Sequence, residues 1–426
     1  MRKLTAIILL SIFIVFNIAP AVKAQANPPP ASADSVVLMD ATTGKILYEK
    51  NKDSAYPPAS TTKIMTILLV LEKTNLDDIV TVSKNASLAD GSKIYIREGE
   101  KLPVKELLYG LTLASANDCA VALAEHISGS VEEFAKLMNE RAKSLGAKNT
   151  NFVNPNGLYD VNHKTSAYDL ALIMQELTKY EKYKEIATTP SYIMAATNKC
   201  DLKRPLWNGN RLIQPGDPYY YEDCIGGKTG YTIQSKHSYI AAASRNGQKL
   251  IVSLVHDSPK TFFKDSRALL DYGFDNFELS EYFKKGDVVS NETLKDGTVL
   301  PLLASKDLYI VKDKNSTPSE VIKLSELKLD KLTIKKGDLV SKATITFDND
   351  SYSLDLTSGI DYAKKKSSLS KLFLKDATKN SSVIVNVMKY ILIILVLFII
   401  FIKIRNTKRK RRRKLDRYID KFNNKR

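Results

Sequence analysis

The 20 residues from Val383 to Ile402 form an apolar block broken only by Asn386 and Lys389. A helix of about 20 apolar residues crosses the hydrocarbon core of a bilayer, so the block predicts a transmembrane helix over 383–402. Lys389 falls about one-third of the way in from the outer end, where its long stem can snorkel toward the headgroups. The run K-I-R-N-T-K-R-K-R-R-R-K follows at once, and a cationic cluster of this density stays on the cytoplasmic side. A basic tail, 403–426, is therefore expected inside the cell membrane, with everything upstream outside it.

The amino terminus agrees with export. Arg2 and Lys3 precede the apolar run Leu4 to Ile18, and V-K-A or A-Q-A ends a signal peptide over 1–26. From Lys403 onward there are 13 basic and 2 acidic residues, so the tail carries +11 of the formal +17. Removing the basic residues of the leader and Lys389 as well leaves the external portion near neutral. A basic run can mark nucleic-acid binding, but one abutting a span is accounted for by topology and anionic lipid, and no nucleic-acid partner is expected. Cys119, Cys200 and Cys224 form no C-x-x-C pair and are odd in number, so free thiols are expected, with Cys200 and Cys224 a weak candidate pair. The histidines His126, His163, His237 and His256 are scattered and fit packing or surface roles. No metal or cofactor is called for.

Between these ends, S-V-V-L-M-D-A-T-T-G-K-I-L-Y-E-K alternates around a glycine turn and reads as a hairpin. Ser60 to about Glu72 reads as a buried helix, and Val104 to Leu113 and Cys119 to Ile127 as two more flanking Ala114 to Asp118. Ser130 and Glu133 form a capping box. Strands return with K-T-G-Y-T and with two apolar runs joined by Asn246-Gly247, a hairpin turn. The fold class is thus α/β in the α+β sense: a mostly antiparallel sheet flanked by helices over 32–274, then a small β-rich domain over 277–363. A Lys/Ser-rich stalk, 364–382, leads to the span.

A hydrolytic serine needs a base, and lysine can supply it where burial strips its charge. S-x-x-K occurs at Ser60–Lys63, Ser325–Lys328 and Ser368–Lys371. The last two stand in polar, Lys-rich surroundings that keep the amine charged, whereas Ser60 opens an apolar helix. Ser115-Ala-Asn117 places a hydroxyl and a carboxamide between two apolar helices; its rival, Ser83-Lys-Asn85, reads as a polar turn. Lys228-Thr229-Gly230 occurs once, on a strand, where Lys and Thr suit a substrate carboxylate and Gly lets the substrate backbone approach closely.

These three elements, in this order, are the signature of penicillin-binding proteins and class A β-lactamases. Over about Ala33 to Phe274 the chain resembles the low-molecular-mass D-alanyl-D-alanine carboxypeptidases, also in D-A-T-T-G-K-I-L-Y, P-A-S-T-T-K-I-M-T, V-N-P-N-G-L-Y-D and T-S-A-Y-D-L-A. The β-rich segment is similar to that family's C-terminal domain. The resemblance implies Ser60 as nucleophile, Lys63 as base and Ser115 as proton relay. It further implies Asn117 on the substrate amide, Lys228 and Thr229 on the terminal carboxylate with Gly230 beside them, and the N–H groups of Ser60 and Tyr231 as oxyanion donors. Arg211 is left between assisting the carboxylate and a surface role. Peptidoglycan stem peptides are the implied substrates and β-lactams the implied inhibitors. The S-A-N element departs from S-D-N, and the span departs from the amphipathic anchor of many relatives.

A β-lactamase would share fold and motifs, but no E-x-x-L-N element stands between Asn117 and Lys228. A D,D-endopeptidase or transpeptidase differs only in what enters or leaves the cleft. A β-lactam receptor or wall-binding scaffold would need more than a tail of about 24 residues.

Overall fold

The computed structural model describes residues 27–314, 319–328, 333–347, 350–363 and 381–423, with side chains of the last helix described over 386–411. The expected signal segment, all but the end of the stalk, and the Ser368–Lys371 pair lie outside these residues. The described residues divide into two compact units. One runs to Val289 and includes Leu303–Glu326 and Ser341–Leu356; the other comprises Ser290–Leu302, Leu327–Val340 and the residues from Thr357 on.

In the first unit, β1 (Ser35–Asp40) and β2 (Ile46–Lys50) form the expected hairpin. Its turn is tied by the Asp40 carboxylate, which accepts from the N–H groups of Thr42 and Thr43 at 3.0 and 2.8 Å. A short 3₁₀ turn, Ala59–Thr62, leads into α1 (Lys63–Lys73). The ribbon β3 (Ile79–Thr81) and β4 (Lys101–Pro103) brackets the one-turn α2 (Lys84–Ser87). Then come α3 (Val104–Leu113), α4 (Asn117–Ser128), α5 (Val131–Ser144), α6 (Ala167–Leu177) and α7 (Glu181–Ala187). Ser130 caps α5 by accepting from the Glu133 N–H, as the sequence predicts. A second ribbon, β5 (Ser191–Met194) and β6 (Arg204–Trp207), precedes β7 (Cys224–Thr232), β8 (Lys236–Arg245) and β9 (Gln248–Asp257), and α8 (Phe262–Asn276) closes the region.

The central sheet runs β2-β1-β9-β8-β7, antiparallel throughout, with its first strand in the chain paired to its last: Ser35 opposite Val255 and Asp40 opposite Leu250. Asn246 and Gly247 take φ +50° and +84°, the left-handed pair that a two-residue β8–β9 turn requires. Alternate residues face opposite sides of a strand, and both sides are covered. Val37, Met39, Ile240 and Ile251 pack with α1 and α3–α7, while Val36, Leu38, Ala241 and Val252 pack with Phe262, Leu269 and Leu270 of α8. β7 is the outermost strand of the sheet, so Lys-Thr-Gly lies on an edge.

The C-terminal region is β-rich, as expected. Here β10 (Phe277–Phe283) and β11 (Val288–Thr293) are followed by β12 (Val299–Ala304), β13 (Leu308–Asp313), β14 (Glu320–Leu324), β15 (Thr333–Ile334), β16 (Leu339–Phe347), β17 (Asp350–Ser358) and β18 (Tyr362–Ala363). β10 pairs with β13, and β15 with β18, both antiparallel. The last helix, α9 (Ser381–Asn423), spans 43 residues and continues through the basic cluster. Asn386–Arg411 is the one segment among the described residues long and apolar enough to cross a membrane, and Val387 to Ile404 present exposed apolar side chains along it.

Candidate active site

Ser60 does not sit in an α-helical turn, as its spacing suggested, but in the tighter 3₁₀ turn Ala59–Thr62, with Ala59 at φ +50°. In a 3₁₀ turn side chains at i and i+3 eclipse, which brings Lys63 Nζ to 2.9 Å from Ser60 Oγ. Lys63 is fully buried. Its other two contacts are the Oδ1 of Asn117 at 2.7 Å and the main-chain oxygen of Asn156 at 2.6 Å. All three are neutral acceptors. Burial, and next the nearby Lys228 ammonium, hold the Lys63 amine well below the usual lysine range.

The segment around Asn156 is locked to the nucleophile turn. Thr66 Oγ1 donates to the Pro155 oxygen at 2.6 Å. Gly157, at φ +83°, lies so close that a Cβ there would stand 1.9 Å from the Ala59 oxygen. His163 supports the same turn from behind: the Val153 N–H donates to Nδ1 at 3.1 Å, so the neutral ring carries its proton on Nε2 and donates to Thr62 Oγ1 at 2.8 Å. Its role is packing, as expected of the histidines, and burial brings its pKa down to about 4.

Asn117 opens α4. Its Nδ2 donates to the Asp90 oxygen at 2.6 Å, so both ends of the carboxamide expected to hold substrate are engaged with protein here. Ser115 takes φ +58°, and its Oγ is buried without a hydrogen-bond partner among the described residues. Backbone strain of that kind collects at functional sites. On β7, Lys228 is buried and donates to the Thr229 oxygen at 3.1 Å, and burial lowers its pKa to about 7. Gly230 has a purpose the sequence did not suggest. A Cβ there would stand 2.7 Å from the Pro58 oxygen and 2.9 Å from the Ser60 nitrogen, so the close approach it permits is that of the nucleophile turn.

Ser60, Ser115, Thr229, Gly230 and Tyr231 line a cleft of about 880 Å³, with Arg211 in its wall. Arg211 pairs with Asp217 at 2.7 Å and lies over the Tyr219 ring. A smaller lobe of about 230 Å³ shares Ser115, Gly209 and Thr229 with the cleft and reaches Lys228.

Of the rival motifs, Ser83 caps α2 and, with Asn85, hydrogen-bonds Glu125, the polar turn expected. Ser325 and Lys328 are exposed. The three cysteines are free and buried. Sequence reasoning does not find Asn156 and Gly157 as parts of the site; V-N-P-N-G-L-Y-D enters it only as a likeness.

A family model described as D-alanyl-D-alanine carboxypeptidase matches residues 22–259, and one described as the C-terminal domain of penicillin-binding protein 5 matches 277–358. The D-alanyl-D-alanine carboxypeptidase DacF of Bacillus subtilis is 37% identical over 342 residues, covering 77% of this chain and 86% of the relative. DacA of Haemophilus influenzae is 30% identical over 82% of this chain and 90% of its own length. Among solved structures, penicillin-binding protein 5 of Haemophilus influenzae aligns with a TM-score of 0.67 at 31% identity, over 79% of this chain and 99% of that one. The Streptomyces K15 DD-transpeptidase aligns with a TM-score of 0.54 at 30% identity, over 59% and 100%.

Proposed function

The chain belongs to the D-alanyl-D-alanine carboxypeptidase family of serine peptidases, and from that premise we propose how its own residues carry the reaction. The enzyme is a serine carboxypeptidase, and its substrates are peptidoglycan pentapeptide stems ending in D-alanyl-D-alanine. Ser60 Oγ attacks the carbonyl between the two D-alanines while its proton passes to Lys63. The single observation that carries this reading is the 2.9 Å contact between Lys63 Nζ and Ser60 Oγ, with only neutral acceptors around the amine. A neutral Lys63 can donate its two protons to Asn117 and Asn156 and turn its lone pair to Ser60.

The N–H groups of Ser60 and Tyr231 stabilise the tetrahedral oxyanion. As the carbon–nitrogen bond breaks, Ser115 hands a proton to the leaving amine and recovers one from Lys63. Lys228 and Thr229 hold the terminal carboxylate. Asn117 fixes Lys63, and a rotation of its carboxamide would be needed before it touched substrate. Water, deprotonated by Lys63, then attacks the ester, releasing the shortened stem and Ser60. A β-lactam acylates the same serine, and its opened ring leaves slowly.

The catalytic domain works outside the cell membrane, held by α9, with the basic tail in the cytoplasm. The charge asymmetry around Asn386–Arg411 supports this orientation. Mass spectrometry of a purified pentapeptide stem treated with enzyme tests the reaction: one D-alanine is lost per stem, and Ser60→Ala releases none and takes up no labelled penicillin. Rapid turnover of penicillin, or label retained by Ser60→Ala, would refute it.

A further inference from the structure

The cleft does not end at the residues assigned to the terminal carboxylate. The smaller lobe adjoins it through Ser115, Gly209 and Thr229; its polar lining is Thr112, Asn208, Asn210, Lys228 and Thr229, and its apolar lining Leu113, Ala114 and Trp207. Ser115 stands at the neck, on the surface of both lobes. If Ser115 protonates the leaving nitrogen, the acyl half of the peptide occupies the larger lobe with Ser60, and the residue attached to that nitrogen passes the neck. Lys228 is the charged group on the far side. It is buried and has one acceptor among the described residues, the Thr229 oxygen, so two of the three protons of its ammonium remain to meet a carboxylate.

The size of this lobe is informative. Alanine has six heavy atoms, and even at the share of about 30 Å³ that each water takes in the liquid, a space of about 230 Å³ would be left partly empty. Trp207 is the only tryptophan of the chain and stands 67% exposed on the edge ribbon, opposite Ser191 of β5. Tryptophan is ordinarily well buried, and an exposed one beside a cleft is a ready contact for an apolar group.

We propose that the lobe bounded by Leu113, Ala114 and Trp207 is the subsite of the leaving residue, and that it accepts stems ending in D-residues with larger apolar side chains. This rests on the reading of Ser60 as nucleophile and Ser115 as proton donor. Trp207 is then the residue that decides how large a terminal side chain is favoured, by covering it on the solvent side.

The test uses the full-length enzyme in detergent and pentapeptide stems that differ only in the last residue, D-alanine or D-leucine. The wild type should hydrolyse the D-leucine stem with a kcat/KM within a hundredfold of that for D-alanine. Trp207→Ala should lower kcat/KM for D-leucine about tenfold more than for D-alanine, and Trp207→Phe should recover part of that difference. Since Trp207 is the lone tryptophan, free D-leucine added to the wild type should shift its fluorescence, and L-leucine should not. A D-leucine stem slower by more than a hundredfold, or a Trp207→Ala enzyme that lowers both stems by the same factor, would overturn the proposal. Failure to release D-alanine from the ordinary stem would instead overturn the assignment of Ser60.

Discussion

Lys63 Nζ lies 2.6 Å from the main-chain oxygen of Asn156, and that carbonyl stands where a carboxylate would have kept the lysine charged. A neutral acceptor orients the amine and stabilises its ammonium form less than a carboxylate would. The base is therefore aimed by hydrogen bonds, while burial lowers its pKa so that the neutral amine is available, two effects that a carboxylate would have set against each other.

Replacing Lys63 by arginine separates the two. A guanidinium keeps its proton at any working pH, so Lys63→Arg retains a cation and donors but loses the base. Acylation by a fluorescent penicillin should slow by about 10²–10⁴-fold, the range of general-base removal. Wild-type acylation by this variant would exclude Lys63 as the base.

Gly157→Ala tests the support behind Asn156. The added Cβ would stand 1.9 Å from the Ala59 oxygen, at a φ of +83° that a side chain resists. The backbone must shift, and the shift moves the Asn156 oxygen and the Ser60 turn together. A loss of about 3 kcal/mol or more in urea unfolding is expected, along with slower acylation in whatever enzyme remains folded. Gly129→Ala is the comparison: its φ is also positive, at +79°, but nothing lies within 4 Å, so only the conformational cost should appear.

How much of this was legible in the sequence follows from which atoms do the work. Ser60, Lys63, Ser115, Lys228 and Thr229 act through side chains whose chemistry is rare enough to be noticed, and the structure brings all five to one cleft and its side lobe. Asn156 acts through a carbonyl, which every residue has, so nothing in its identity marks it. The 3₁₀ turn was misjudged because Ser60 to Glu72 has the composition of one continuous buried helix; the turn is set by Ala59 at positive φ, a tertiary constraint. At Gly230 the sequence suggests room for the substrate backbone, whereas the group packed against it is the Ser60 turn, 170 residues away in sequence. The hairpins were legible because Asn246-Gly247 and the T-T-G turn dictate local backbone angles.

Lys228 gives the enzyme a pH limit. Its pKa, brought down to about 7 by burial, means that the free enzyme loses this cation as pH rises through neutrality. Lys63 must be neutral to act and Lys228 charged to bind, so kcat/KM should fall on both sides. The basic limb should drop about tenfold per pH unit above the Lys228 value, as one proton is lost. A bound carboxylate favours the charged form, so the basic limb of kcat should lie at higher pH and the loss should appear as a rising KM. Lys228→Arg, which does not deprotonate, should lack the basic limb; its persistence would assign the limb to another group.

His163 sets a second pH effect, on stability. It stays neutral in the fold down to a pKa of about 4, below the ordinary 6.5, because burial penalises the charged ring. The unfolded chain takes up the proton first as pH falls, so the stabilising contribution is intact above pH 6.5. It is lost progressively from there down to about 4 and is constant below. The window corresponds to about 3 kcal/mol at 1.36 kcal/mol per unit. Denaturant unfolding at pH 7 and 4.5 should show most of that loss in the wild type. His163→Gln, less stable at pH 7, should show correspondingly less acid loss; an identical loss would place the titrating group elsewhere.

Ser115 should exchange stability for activity. Its φ of +58° is a left-handed conformation that costs a non-glycine residue about 1 kcal/mol or more, and its buried Oγ has no partner among the described residues to offset desolvation. Both costs disappear in Ser115→Gly, so this variant should be more stable than the wild type, by about 1 kcal/mol or more in thermal or urea unfolding. The same change removes the proton donor for the leaving amine, and peptide hydrolysis should fall by about 10²–10⁴-fold. Ser115→Ala removes the hydroxyl but keeps the strain, so it should match the glycine variant in activity and fall short of it in stability. If instead both variants are destabilised, the hydroxyl has a structural partner in solution, and its place as the relay between Lys63 and the leaving nitrogen would have to be given up.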